Sequence, residues 1–236
     1  VRGDDDEPVI FGPGAYGGRE VLYIQPGPGP VTSPQEIIDL TIAVLALSAI
    51  FSMAEIKLAV LGAIPGIIAI LVFLLSLVAV MLGVFTHELA HKFIARRYGH
   101  WAEFRRSDTW LGIGLFMSII GFWFIIAPGA VMIRGNVTTG DNGKISAAGP
   151  GTNALVGFIC LPLAILLGPA SLFGYIATTA VIVSAFLGLF NMLPVYPFDG
   201  SKVWRWSPAV YIGLVAALAA LLLLGDKFLG FFGIVP

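Results

Sequence analysis

Apolar residues in this chain come in blocks of about 17–25, the length that crosses a bilayer, separated by short polar or Gly/Pro-rich stretches. Residues 1–36 are acidic at first and then rich in glycine and proline (FGPGAYGG, QPGPGP), which reads as a loosely structured tail with one short strand at REVLYI. The opening VRGDDDE, with no initiator methionine, reads as an excised or processed start, and no secretory signal precedes the first apolar block near Ile37. SPQEIIDL has the form of a helix start, with Ser33 as N-cap, Pro34 in the first turn and Glu36 as the capping-box residue. The helix it opens should run to Glu55. After the break LGAIPGI, a second run from Ile67 ends in FTHELAHKFIARR.

The polar connector YGHWAEFRRSD leads to WLGIGLFMSIIGFWFIIAPGAVMIRG, an apolar stretch punctuated by glycines and ending in a strand-like PGAV segment. NVTTGDNGK reads as a turn-rich loop. Residues 147–168 and 171–190 form two further helical blocks, NMLPVYPFDGSKVWRW a loop, and residues 208–224 a last helical block. The pattern predicts an all-α polytopic membrane protein with five to six transmembrane helices and a small membrane-associated β element. The tail occupies 1–36 and the membrane domain 37–236.

Composition agrees. Hydrophobic residues make up 58% of the chain and charged residues 11%, against about 25% charged in an ordinary soluble domain. A net charge of -1, with no stripe of basic and aromatic residues, gives no case for nucleic acid as a partner. The single cysteine, Cys160, has no intrachain partner and lies in an apolar run, as a small core or lipid-facing residue. Lys92, Arg96, Arg97, Arg105 and Arg106 crowd the end of the second block, which directs that end to the cytoplasm of a multi-pass cell-membrane protein.

The chemistry is concentrated at FTHELAHKF. His87 and His91 are one helical turn apart and leave the same face, so both imidazoles can grip one metal ion, and Glu88 beside them can take a proton from metal-bound water. The string alone is weakly specific. Its place in an apolar helix sharpens it, because ionisable residues there are costly. The plain alternative is an ordinary helix end at the interface, with His100, the third of the chain's 3 histidines, as a surface residue. A catalytic zinc site takes three protein ligands and leaves one position open. Carboxylates near a membrane boundary that could complete the set are Asp39, Glu55, Asp108, Asp199 and Asp226. Asp199 stands out, because Pro194 and Pro197 keep NMLPVYPFDG extended and stiff, although a turn joining two helices would use the same residues.

Across about residues 80–205 the sequence resembles the site-2 protease family of intramembrane zinc metalloproteases, in its compact archaeal or bacterial form. The resemblance rests on three elements in order: HELAH, GKISAAGPGTN with Gly149, Pro150 and Asn153, and NMLPVYPFDG with Asn191, Pro194, Asp199 and Gly200. It implies one catalytic zinc ion held by His87, His91 and Asp199, Glu88 as the catalytic acid and base, and Asn153 near the metal to steady substrate or the oxyanion. It makes 37–236 a metalloprotease domain with its core at about 62–205. It also implies a membrane-protein substrate cut within or near a transmembrane segment, with the bilayer as its setting and the active site toward the cytoplasm. The chain has no room for the PDZ or CBS domains that many relatives carry.

Zinc at His87 and Asp199 requires both at one depth, so one apolar block must fail to cross. The segment 111–133 is the candidate, as a β element beside the site or as a helical hairpin with both ends cytoplasmic. A β element there could offer an edge to an unwound substrate. Two other readings use the same residues: a membrane metal-binding or transport protein without hydrolysis, and an inactive homologue that only holds clients. Glu88 has no special place in the first, and the intact set of polar residues speaks against the second.

Overall fold

The computed structural model describes residues 32–121 and 128–230; the strand expected at residues 19–24 lies outside the described residues. The first helix, α1 (Pro34–Phe51), is capped by Ser33, whose hydroxyl accepts the Glu36 N–H. Only this half of the expected capping box forms. The Glu36 carboxylate turns inward instead, accepting the Phe104 N–H at 3.1 Å and pairing with Lys92. The helix also ends earlier than the sequence predicts. Ser52 bonds back to the carbonyls of Ser48 and Ala49, and a separate short helix, α2 (Met53–Val60), follows. A serine hydroxyl that competes for backbone carbonyls bends a helix in this way.

The second apolar run is one long rod in three parts: α3 (Gly66–Val80), a π-helical turn (Met81–Phe85) and α4 (Thr86–Arg97). At Gly83, in the π turn, a Cβ would lie 2.5 Å from Val183 Cγ1, so only glycine lets the later helix approach this closely. His87, one turn further on, turns to a different helix, where its ring meets Asn153 and Gly149.

The polar connector is not a loop. Trp101–Arg106 forms β1, which pairs antiparallel with β2 (Gly129–Arg134), from Trp101↔Arg134 to Arg106↔Gly129. Between them runs α5 (Asp108–Ile119), capped by Ser107, which packs along α1 with Leu111 against Ala43. Its 12 residues span about 18 Å, too short for a bilayer core of about 30 Å. The Ser107 N–H meets the Pro128 carbonyl at 2.9 Å, so the excursion leaves and rejoins the hairpin at one level. This segment therefore combines a short helix and a strand and does not count as a crossing.

The expected loop 136–144 is mostly helix. Thr138 caps α6 (Thr139–Leu167), its hydroxyl accepting the Asp141 N–H, so the helix starts eight residues before its apolar part. Then come α7 (Leu172–Asn191), a short helix α8 (Asp199–Trp206) within the expected loop 191–206, and α9 (Pro208–Leu229). Among the described residues, 5 helices are long and apolar enough to cross a membrane: α1, the α3–α4 rod, α6, α7 and α9. The chain is a multi-pass, all-α membrane protein with, among the described residues, one small two-stranded sheet.

Packing follows from those five. Val44, Leu47, Ile50 and Phe51 of α1 meet Val80 and Val84 of the rod and Val183 and Leu187 of α7. Cys160, Leu161 and Ala164 of α6 meet Ala177, Ala180 and Val181 of α7 and Leu221 of α9, which places the cysteine in the core. Alternation of the crossings brings the start of α1, the end of α4, the start of α6 and the end of α7 to one side. The contacts of Glu36 with Lys92 and of His91 with Ile145 join these ends directly.

Candidate metal centre

Three elements far apart in sequence converge on that side. On α4, His87 and His91 point inward, 1% and 6% exposed. The Nε2 atoms of the two rings lie 3.0 Å apart. Asp199, the first residue of α8, brings Oδ2 to 3.0 Å from His91 Nε2 and 3.7 Å from His87 Nε2. Zinc–ligand bonds of about 2.0–2.1 Å at a tetrahedral angle set ligand–ligand distances of about 3.3–3.4 Å, which these edges bracket.

The second nitrogen of each ring decides what the first can do. His87 Nδ1 lies 2.6 Å from Asn153 Oδ1, and His91 Nδ1 lies 2.7 Å from the Ile145 carbonyl oxygen. Both partners are acceptors, so each Nδ1 carries the proton and each Nε2 presents its lone pair. Two lone pairs and a carboxylate oxygen then face one another, which is stable only with a cation between them. The donor chemistry and the spacing both fit a divalent metal ion.

The surrounding helices are shaped to this. Gly149 on α6 lies against both imidazoles: a Cβ there would come within 2.6 Å of His87 Nε2 and closer still to His91 Nε2. Pro150 follows inside the helix, and its missing N–H leaves the Ser146 carbonyl, next to that of Ile145, without its i+4 donor. Asn153 is fully buried, its Oδ1 on His87 and its Nδ2 donating to the Ser184 carbonyl at 3.3 Å. Glu88 is buried on α4 between the two histidines in sequence, and among the described residues no side chain hydrogen-bonds its carboxylate.

The other carboxylates weighed from sequence go elsewhere. Asp39 pairs with Arg106 at 2.8 Å, and Asp108 with the same guanidinium at 2.6 Å. Asp226 is buried near the far end of α9, and Glu55 lies on α2. His100 is not a surface residue: its side chain is 8% exposed and Nε2 lies 3.7 Å from Asp141 Oδ2. Asn191 bonds the Leu187 carbonyl in its own helix and takes no part in the cluster. Sequence reasoning missed two features. One is the Ile145 carbonyl, since any residue type could supply it. The other is the buried Glu36–Lys92 pair, which docks the start of α1 onto the metal helix one residue past His91. Its only trace in the sequence is an acid and a base flanking apolar helices.

Scaffold and site together define a multi-pass membrane protein with a buried His-His-Asp cluster able to coordinate a divalent metal ion. Comparison with known proteins agrees with that class. The chain is 42% identical over 180 residues, 76% of its own length and 88% of the relative's, to a Methanocaldococcus jannaschii protein named "Putative zinc metalloprotease". The chain belongs to the family of that protein. No protein-family model and no solved structure matches it.

Proposed function

We propose that the protein is a zinc-dependent intramembrane endopeptidase of the site-2 protease kind, cutting membrane proteins within or near a transmembrane segment. The observation that carries this reading is the meeting of His87, His91 and Asp199, with both histidines fixed as Nδ1–H tautomers, deep among membrane-crossing helices. These three residues would hold the ion and leave a fourth position open. When bound, zinc supplies Lewis acidity that polarises a carbonyl and acidifies a water.

The chain's own residues do the rest. Glu88, whose carboxylate is engaged by no other side chain among the described residues, takes the proton of the attacking water. The new C–O bond forms as that proton leaves, and Glu88 then gives it to the amine as the C–N bond breaks. Asn153 acts through His87: its oxygen holds the Nδ1–H and its amide is tied to Ser184, so it positions the ligand rather than touching substrate. The edge of β2 opposite β1, to which no strand pairs among the described residues, supports docking of an unwound substrate as an added strand. The hairpin's inner face packs Ala102 and Ile133 against Ala95 and Ile145, beside the metal helix. The cluster of Lys92, Arg96, Arg97, Arg105 and Arg106 on the same side supports a site facing the cytoplasm.

The test is purification in detergent, measurement of bound zinc, and cleavage of a transmembrane substrate by wild type and Glu88→Gln. One zinc per chain in both proteins, with cleavage by the wild type alone, is expected. Equal cleavage by Glu88→Gln removes the base assignment, and absence of zinc from the wild type removes the reading.

A further inference from the structure

Asp199 has two carboxylate oxygens, and they face different neighbours. Oδ2 is directed to the histidines, while Oδ1 lies 3.5 Å from Lys202 Nζ. Lys202 follows Asp199 by three positions on α8, which places both on one face of that short helix. On an exposed surface such an intrahelical pair would contribute little. Here the carboxylate is 12% exposed and the lysine side chain 31% exposed, so the cation approaches the site from its solvent edge.

A carboxylate binds a metal through one oxygen or through both. Two-oxygen binding would add a fifth donor beside the position that a hydrolytic site keeps open for water and substrate, and crowd it. We propose that Lys202 is a positioning residue that holds Asp199 Oδ1 away from the metal, so that Asp199 binds through Oδ2 alone and the fourth position stays open. The inference rests on the metal reading above. It assigns to the chain a device that sets coordination number. The pattern D-x-x-K, with Lys202 one helical turn beyond the ligand, is how the fold builds it.

The experiment uses the full chain in detergent, loaded with cobalt(II) in place of zinc, as wild type, Lys202→Met and Lys202→Arg. Four-coordinate cobalt(II) absorbs visible light more strongly than five-coordinate, so the spectrum reports the denticity of Asp199 directly. The wild type is expected to give the strong four-coordinate spectrum. Lys202→Met should give the weaker five-coordinate one with metal still bound, and Lys202→Arg should restore the strong spectrum. With zinc, Lys202→Met turnover should fall by about 10- to 100-fold with little change in KM. A role as a mere nearby charge predicts tighter metal binding in Lys202→Met with an unchanged four-coordinate spectrum, and that result overturns the proposal. A wild type that binds no stoichiometric metal overturns the underlying reading instead, so the two failures are distinguishable.

Discussion

A single added methyl at Gly149 should disable the metal centre. A Cβ there would lie 2.6 Å from both His87 Nε2 and His91 Cε1, and nearer still to His91 Nε2. Ordinary carbon–nitrogen contact needs about 3.5 Å, so the rings and α6 must separate by roughly 1 Å. The rings cannot simply turn aside, because Asn153 holds His87 at 2.6 Å and Ile145 holds His91 at 2.7 Å. Losing either bond costs about 0.5–1.5 kcal/mol, and overpacking of this kind typically costs about 1–3 kcal/mol. Against that stands a gain of about 0.5–1 kcal/mol for alanine over glycine in a helix. Gly151 supplies the control. Two residues further along α6, its Cβ would meet only Leu214 Cδ2, at 3.9 Å, so Gly151→Ala keeps the helical gain without the clash. The assay is zinc competition against a chromophoric chelator, with thermal unfolding of the metal-free proteins in the same detergent. Gly149→Ala should lose at least about tenfold in zinc affinity, about 1.4 kcal/mol, while Gly151→Ala matches wild type. Equal zinc affinity in the two variants would refute the placement of Gly149 against the ligands.

Two further substitutions test parts of the same arrangement. Asn153→Ala leaves His87 Nδ1 without its acceptor. It should lower zinc affinity by about 10- to 100-fold by equilibrium competition; wild-type affinity would mean that Asn153 does not position the ring. The Glu36–Lys92 pair is buried at both ends, so Glu36→Gln or Lys92→Met alone should destabilise by about 3–5 kcal/mol in denaturant titration. The double variant Glu36→Gln/Lys92→Met should recover most of that loss, and a double variant as unstable as the sum of the singles would show that the pair is not coupled.

Several elements were legible because one physical constraint outweighs all others. A bilayer leaves no choice for long apolar blocks except a helix, so the rod through Val80, α6, α7 and α9 followed from residue type alone. The strand at Gly129–Arg134 was readable for a similar reason, since Pro128 and Gly129 break the helical pattern before β-branched Val131 and Ile133. Other elements were illegible because polar residues do not announce their partners. Trp101–Arg106 reads as a connector until β2 pairs with it, and Thr138 reads as a loop residue until it caps α6. Glu36 has the sequence position of a capping-box residue, yet Lys92 and the Phe104 N–H, both more than fifty residues away, offer its carboxylate stronger partners.

The candidate site divides along the same line. By itself the sequence determined that His87 and His91 share a face, because four residues make one helical turn, and that Glu88 lies beside them. It marked Asp199 only among several carboxylates, and resemblance chose it. Tertiary structure alone decided that Asp199 reaches both histidines, that Asn153 and Ile145 hold the rings as donors, and that Gly149 leaves room for an ion. The reason is range. Helical spacing is local and is written in residue order, whereas a metal centre is closed by groups whose distance depends on how many helices cross between them.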